Sequence, residues 1–501
     1  MSSSSQLTGS GMERIQYHLA AKLDEVTRLM GKLSSDLQDV NLLPHQRDAD
    51  LEQLKVYGRD PTNADPIFTK EAGHTPRGIA PGIETLTRHA FNSPSQTTSR
   101  NALRCLANAL LLRADTRQIF LDLGYEAKAC NKLKNESWDD EFLVSRIIFL
   151  TTYDAKVDIE KLVDQHHLAE NICSNIGRHA KQYVTKQKNV KELDPMEDMA
   201  LIESLKLMFN LTHFCPQRSA AFSPALPHIL LILCKRPISS TKPLDPPIAP
   251  LVNALINLDL ERKDSVAALF PKATTNAIVD RFVEILEKSV KVYVDEELEQ
   301  LVSPLLTLFR KIYELAPEET QKYMRKVILP STTDRQQPLG RAESLSSRLL
   351  RLSTNPTTPQ VRESVSGLLF DMSDKDATKF VQNVGYGFAS GFLFQHNVPI
   401  PENALEAYST SDSESSNTRA SQDSRRTLDG KVNPITGQFL DKEEKVEEEP
   451  MTQEQKEREA ERLFVLFERL KKTGIVDIQN PVEAAFQQGR FEELDDDADS
   501  E

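Results

Sequence analysis

The sequence predicts an all-α fold: a solenoid of stacked helical repeats, then a largely disordered acidic tail carrying one amphipathic helix. Three observations lead there. Apolar residues recur three and four apart through most of residues 12–394, while the alternation expected of strands is scarce. One short frame, apolar-x-x-apolar-x-Asn-apolar, returns along that span. After Pro401 the periodicity stops and Ser, Asp and Glu take over.

Taken in order, residues 1–11 are polar and predict a disordered N-terminus without the apolar core of a signal peptide. Residues 12–400 read as amphipathic helices, among them EFLVSRIIFLTTY, DMALIESLKLMFNLTHF and IVDRFVEILEKSVKVYV. Within them Asn108 stands behind Leu103 and Leu106, Asn210 behind Leu205 and Met208, and Asn257 behind Val252 and Leu255. The segments around Phe149 and Thr307 fit the frame without the Asn. The steps are 41, 61, 47 and 50 residues, against about 40–47 for armadillo or HEAT units, which loop insertions lengthen. Such units bury their apolar faces only by stacking on their neighbours. An armadillo/HEAT-like solenoid over 12–400 is therefore expected. An asparagine in the frame can line a groove and bond a bound peptide, or satisfy carbonyls between repeats. The Pro-rich loop 235–250 and the polar connector 331–345 interrupt the array.

The stretch VQNVGYGFASGFLF, residues 381–394, places glycines at 385, 387 and 391. A dinucleotide fingerprint needs G-x-G-x-x-G, and a Walker loop ends in Gly-Lys-Ser/Thr. Here the spacing is G-x-G-x-x-x-G and Phe392 follows the last glycine. A glycine-permitted turn into a buried segment is the expected structure.

Residues 401–450 form the expected disordered linker. In it Ser409 and Ser411 each have an acidic residue three positions on, the pattern of an acidophilic protein kinase, with Ser413 between further acidic residues. Residues 451–475 predict a helix, opened by the capping-box pair Thr452 and Gln455 and closed by Lys471, Lys472 and Gly474. Its apolar face, Leu463, Phe464, Phe467 and Leu470, would dock on the solenoid or grip a partner. Residues 476–501 close the chain on an acidic tail.

Charge and motifs narrow the function classes. The net charge is −14, and residues 401–501 carry −13 of it. A near-neutral body with an acidic tail disfavours nucleic acid as the main partner. No run of about 18 apolar residues exists, so no membrane span is expected. The five cysteines are scattered in or beside apolar runs and read as buried thiols in a reducing compartment. No nucleophile elbow, H-E-x-x-H or kinase motif occurs. No metal, cofactor or covalent catalysis is expected. The reading is a soluble, cytoplasmic, monomeric interaction protein.

RLLRLSTNPTTPQVRESVSGLLFDMSDKDATKFVQNVGYGFASGFLF resembles the synembryn family, also called resistance to inhibitors of cholinesterase eight. NALRCLANALL (101–111), NPITG (433–437) and MTQEQKEREAERL (451–463) agree in the same order. The resemblance covers nearly the whole chain; the first 60 residues and 414–430 fall outside it. It implies a cytosolic chaperone and guanine-nucleotide exchange factor for heterotrimeric G-protein α subunits. Such a protein folds as an armadillo/HEAT-like solenoid, cradles the α subunit's C-terminal helix, and holds the nucleotide-free form until GTP enters. On that resemblance the candidate groove residues are Arg104, Asn108, Lys206, Asn210, Asn257, Arg348 and Arg351. Leu463, Phe464, Phe467 and Leu470 would touch the GTPase domain. Ser409, Ser411 and Ser413 would take activating phosphates, paired with body arginines such as Arg341, Arg348 or Arg351. A passive armadillo-type scaffold without exchange activity is the alternative; an import adaptor fits the acidic tail less well.

Overall fold

The structure is a computed structural model of the 501-residue chain. It describes residues 9–69, 82–185, 194–400, 408–409 and 431–444, with 452, 458–459, 461–462 and 465 beyond them. The chain divides into two units, 1–441 and 442–501. The first is an all-helical, armadillo/HEAT-like stack; strand among the described residues is limited to Tyr408–Ser409 paired with Lys431–Val432. In the second unit, 458–459, 461–462 and 465 are helical. Leu463, Phe464, Phe467 and Leu470 lie outside the described residues, as do Ser411 and Ser413.

Seven helices build a ladder in which each rung packs on the next. They are Pro44–Tyr57, Gln96–Leu112, Trp138–Thr151, Pro195–Phe214, Ile248–Ile256, Ser303–Leu315 and Pro359–Met372. The repeat frame lands on the middle five. The first two apolar positions of each frame, ten in all from Leu103 and Leu106 through Val144, Ile147, Leu205, Met208, Val252, Leu255, Val302 and Leu305, are buried. A buried side chain of this kind contributes about 1.5–3 kcal/mol, so the frame is the spine of the core. A second layer, Leu168–Thr185, Leu226–Lys235, Ala277–Val292 and Leu345–Leu352, packs in sequence behind the ladder.

Local chemistry sets the rungs. Ser95 accepts from the Thr98 N–H at 3.3 Å, Ser137 from Asp140 at 3.3 Å, and Asp194 from Met196 at 2.9 Å, each satisfying a donor that a helix start leaves unpaired. Asp139, Asp140 and Glu141 follow in one first turn and Glu197 and Asp198 in another, where the helix dipole favours negative charge. Four of the five cysteines are buried and Cys234 is half-buried; all are free. Burial pushes the Cys105, Cys130 and Cys173 thiols up to about 12, so they stay protonated and inert.

The linker expected across 401–450 is interrupted by a docked segment at 431–441. Val432 and Phe439 are buried there. The Tyr386 and Gly387 N–H groups donate to the Pro434 and Ile435 carbonyls at 2.8 and 3.3 Å, and Leu339 N–H donates to Thr436 O at 3.0 Å. Gly385 adopts φ 83° so that these donors face the incoming strap. Arg335, buried, donates to the Gly437 carbonyl at 2.9 Å and to the Gln382 and Asn383 carbonyls at 3.0 Å. The glycine-rich stretch is thus a turn between Ala377–Val384 and Tyr386–Gln395, and its backbone holds this return strap.

Candidate functional site

Along the ladder each rung leaves one stripe out of the core. Arg100, Arg104 and Asn108 mark it on the 96–112 helix, ending in exposed Leu111 and Leu112. Phe142, Arg146, Phe149 and then Tyr153 continue it on and after the 138–151 helix. Met199, Ile202, Lys206, Phe209 and His213, with Phe214 beside them, carry it along the 195–214 helix. The spacing of three and four keeps each set on one helical face. Three adjacent rungs therefore present one continuous surface.

Its two ends differ in chemistry. Towards the N-terminal and middle turns it is polar and cross-braced. Arg100 reaches Asp140 at 3.0 Å, Arg104 reaches Asp139 at 2.7 Å, and Arg146 reaches Glu203 at 3.1 Å, each bridging one rung to the next. Lys206 shares Glu203 at 3.1 Å, so two cations stand over one buried carboxylate. Farther along, Lys311 donates to the Ile256 carbonyl at 3.2 Å and Arg310 bonds Asp371. The accessible layer is cationic over an acidic floor.

Towards the C-terminal ends of the rungs the surface is aromatic. Tyr153 packs edge-on to Phe149 at 5.2 Å and to Phe214 at 6.3 Å between ring centres. Phe209 stacks on His213 at 5.9 Å, and His213 meets Phe214 at 5.1 Å. Phe214 is 50% exposed and Tyr153 39%. Arg117 ties the end of the neighbouring rung to this cluster, donating to the Leu110 and Tyr153 carbonyls at 2.9 and 3.5 Å. Exposed aromatic rings at the rung ends where Leu111 and Leu112 are also exposed make a surface fit for an apolar partner.

The candidates from sequence separate into two groups. Arg104, Asn108, Lys206, Asn210 and Asn257 fall on or at the end of neighbouring rungs. Asn108 is half-buried, and its side chain makes no hydrogen bond among the described residues. Asn210 is 4% exposed, donates to the Thr152 hydroxyl at 2.7 Å and accepts from the Tyr153 hydroxyl at 3.4 Å. Asn257 follows the last residue of its rung and donates to the Phe209 carbonyl at 3.5 Å. Arg348 and Arg351 lie elsewhere, on the second-layer helix Leu345–Leu352. Arg348 pairs with Glu343, and Arg351 donates to the Gly340 and Ala342 carbonyls at 2.6 and 2.9 Å. Both brace the connector between repeats. Ser409 lies in the short strand, its backbone in register with Lys431.

The aromatic cluster was not anticipated from the sequence, although a signal for it existed. FLVSRIIFLTTY and LKLMFNLTHF carry apolar residues at too many helical phases for a single buried face, so the surplus must meet solvent or a partner. Among the described residues no group of three or more His, Cys, Asp or Glu is placed to hold a metal ion. No described helix is long and apolar enough to cross a membrane.

Relatives agree along most of the length. The chaperone Ric-8A of Xenopus laevis is 24% identical over 493 residues, covering 91% of this chain and 87% of that protein. Ric-8A of Danio rerio is 24% identical, covering 90% and 86%. A synembryn-like chaperone of Schizosaccharomyces pombe is 28% identical over 58% of this chain and 55% of its own length. Among solved structures, a designed armadillo repeat protein aligns at TM-score 0.34 and 12% identity, over 57% of this chain and 99% of that one. The profile of the family described as guanine nucleotide exchange factor synembryn matches residues 50–490, and the chain belongs to that family.

Proposed function

We propose that this chain is an exchange factor and folding chaperone for heterotrimeric G-protein α subunits. It binds the GDP-loaded subunit, promotes GDP release, and stabilises the nucleotide-free state until GTP binds. The observation that supports this reading, in a chain of this family, is the two-sided ladder face. An amphipathic helix with one apolar and one acidic stripe matches its aromatic end and its cationic middle. The C-terminal helix of an α subunit is the proposed occupant, with Arg104, Asn108 and Lys206 beside it and Phe209, Tyr153 and Phe214 beneath it.

No covalent catalysis is needed. A partner that binds the empty α subunit more tightly than the loaded one weakens nucleotide binding by the same factor. The same preference, applied to a newly made subunit, stabilises its folded state. The reading extends to Leu463, Phe464, Phe467 and Leu470 contacting the GTPase domain, to activating phosphorylation of Ser409, Ser411 and Ser413 by an acidophilic kinase, and to a cytoplasmic monomer.

The test is GDP release from purified α subunits with and without this protein, phosphorylated beforehand. Faster release supports exchange. Unchanged release across several α subunits, together with stable binding, would reduce the protein to a scaffold or a folding chaperone.

A further inference from the structure

The frame asparagine at 210 is buried, both ends of its amide are used, and it lies directly behind an exposed ring of the aromatic cluster. Its Nδ2 donates to the Thr152 hydroxyl at 2.7 Å, and Thr152 in turn donates to the Phe149 carbonyl at 2.6 Å. That chain of bonds pins the last turn of the 138–151 helix to the 195–214 helix. Its Oδ1 accepts from the Tyr153 hydroxyl at 3.4 Å. The Tyr153 ring is thereby held between Phe149 and Phe214. Asn257 also reaches back one rung, though by a single bond, to the Phe209 carbonyl at 3.5 Å. Lys311 does so again, reaching back to Ile256.

We infer that Asn210 is a positioning residue: it touches no partner itself and sets the angle at which Tyr153 faces the ligand. The inference rests on the ladder face being the binding surface. A side chain 4% exposed cannot offer a free amide to a peptide without breaking two internal bonds. A tyrosine at a helix end, by contrast, has a ring that swings unless its hydroxyl is tethered. A tethered ring binds better, because the entropy of fixing it has already been lost before the ligand arrives.

The experiment is a double-mutant cycle on the full chain, read as affinity for a purified GDP-loaded G-protein α subunit. Asn210→Ala and Tyr153→Phe are each expected to weaken binding, Asn210→Ala by about tenfold. Tyr153→Phe keeps the ring and removes only the tether. Made together, they are expected to weaken binding no more than Asn210→Ala alone, because both cut one tether. Multiplied effects would overturn the inference, since they would mean that Asn210 meets the partner independently. No effect of Asn210→Ala would also overturn it. If Asn210→Ala does not fold, Tyr153→Phe alone decides, and unchanged affinity refutes the tether.

Phe214→Ala keeps the two hypotheses apart. It is half exposed and makes no tether. If wild type binds and Phe214→Ala binds equally well, the ladder face is not the site. If Phe214→Ala loses binding while Asn210→Ala does not, only the positioning role fails.

Discussion

Glu141→Gln is the sharpest perturbation available to the scaffold behind the binding face. Glu141 is fully buried on the 138–151 helix and takes three donors from two other helices. Arg178 Nη2 stands at 2.5 Å, Ser204 Oγ at 2.7 Å, and His179 Nε2 at 3.1 and 3.2 Å from its two oxygens. On its other side His179 Nδ1 lies 3.7 Å from Glu197. Burial opposes the His179 charge, yet Glu141 and Glu197 hold the imidazole above its usual value. Burial likewise pushes the Glu141 carboxyl up, and His179, Ser204 and Arg178 hold it below. Removing one partner of such a pair costs about 3–5 kcal/mol; Gln keeps the shape and one acceptor, so the lower end, about 3 kcal/mol, is expected.

The pH dependence has a definite sign. The raised histidine contributes fully below its ordinary value of 6.5 and loses that contribution as pH rises through its folded value. The lowered glutamate contributes fully above 4.5 and loses it as pH falls through its folded value. The gap between wild type and Glu141→Gln is therefore widest between about pH 4.5 and 6.5 and narrows as pH rises through the folded value of His179. Trp138 is the chain's one tryptophan, stacked on His179 at 4.5 Å with the Arg178 guanidinium 4.2 Å from its ring centre. Urea unfolding followed by its emission reads this site alone. A loss under about 1 kcal/mol at pH 6 would refute the reasoning, as would a gap that widens as the pH is raised above 6.5.

Other substitutions carry their own expectations. Gly437→Val meets a backbone at φ 66° and the Leu339 side chain; strain of about 1–3 kcal/mol should release the strap. Amide exchange should then rise over 334–345 and 377–396 and stay unchanged over 96–112. Arg348→Ala breaks an exposed pair with Glu343 and should cost under about 1 kcal/mol in denaturant melts. Because Arg348 braces the second layer, the variant should keep wild-type affinity for the α subunit. Phe214→Ala should lower that affinity by about tenfold or more at unchanged melting temperature, as expected for an exposed aromatic anchor.

The ladder was legible because burial has a period. The apolar positions of the frame at 103, 106, 205, 208, 252 and 255 had to be hidden, and stacked rungs hide them. Which side of the stack an arginine joins was less legible. Arg104 and Arg348 look alike in sequence, but only the fold shows that one rides a rung and the other a second-layer helix. The role of Asn210 turned on a tyrosine 57 positions away, beyond any local pattern. The return strap was hidden for a different reason. It docks largely through backbone N–H groups of Leu339, Tyr386 and Gly387, and its side-chain anchors, Arg335, Val432 and Phe439, stand far apart in the sequence without a periodic pattern.

The central claim is differential binding, and the most direct measurement is the affinity of this protein for one α subunit in its GDP-loaded and nucleotide-free forms. The account predicts tighter binding to the empty form, by the factor by which the protein weakens GDP affinity on the same subunit. Equal affinities for the two forms would contradict it, because a partner that does not discriminate between two states cannot shift one to the other.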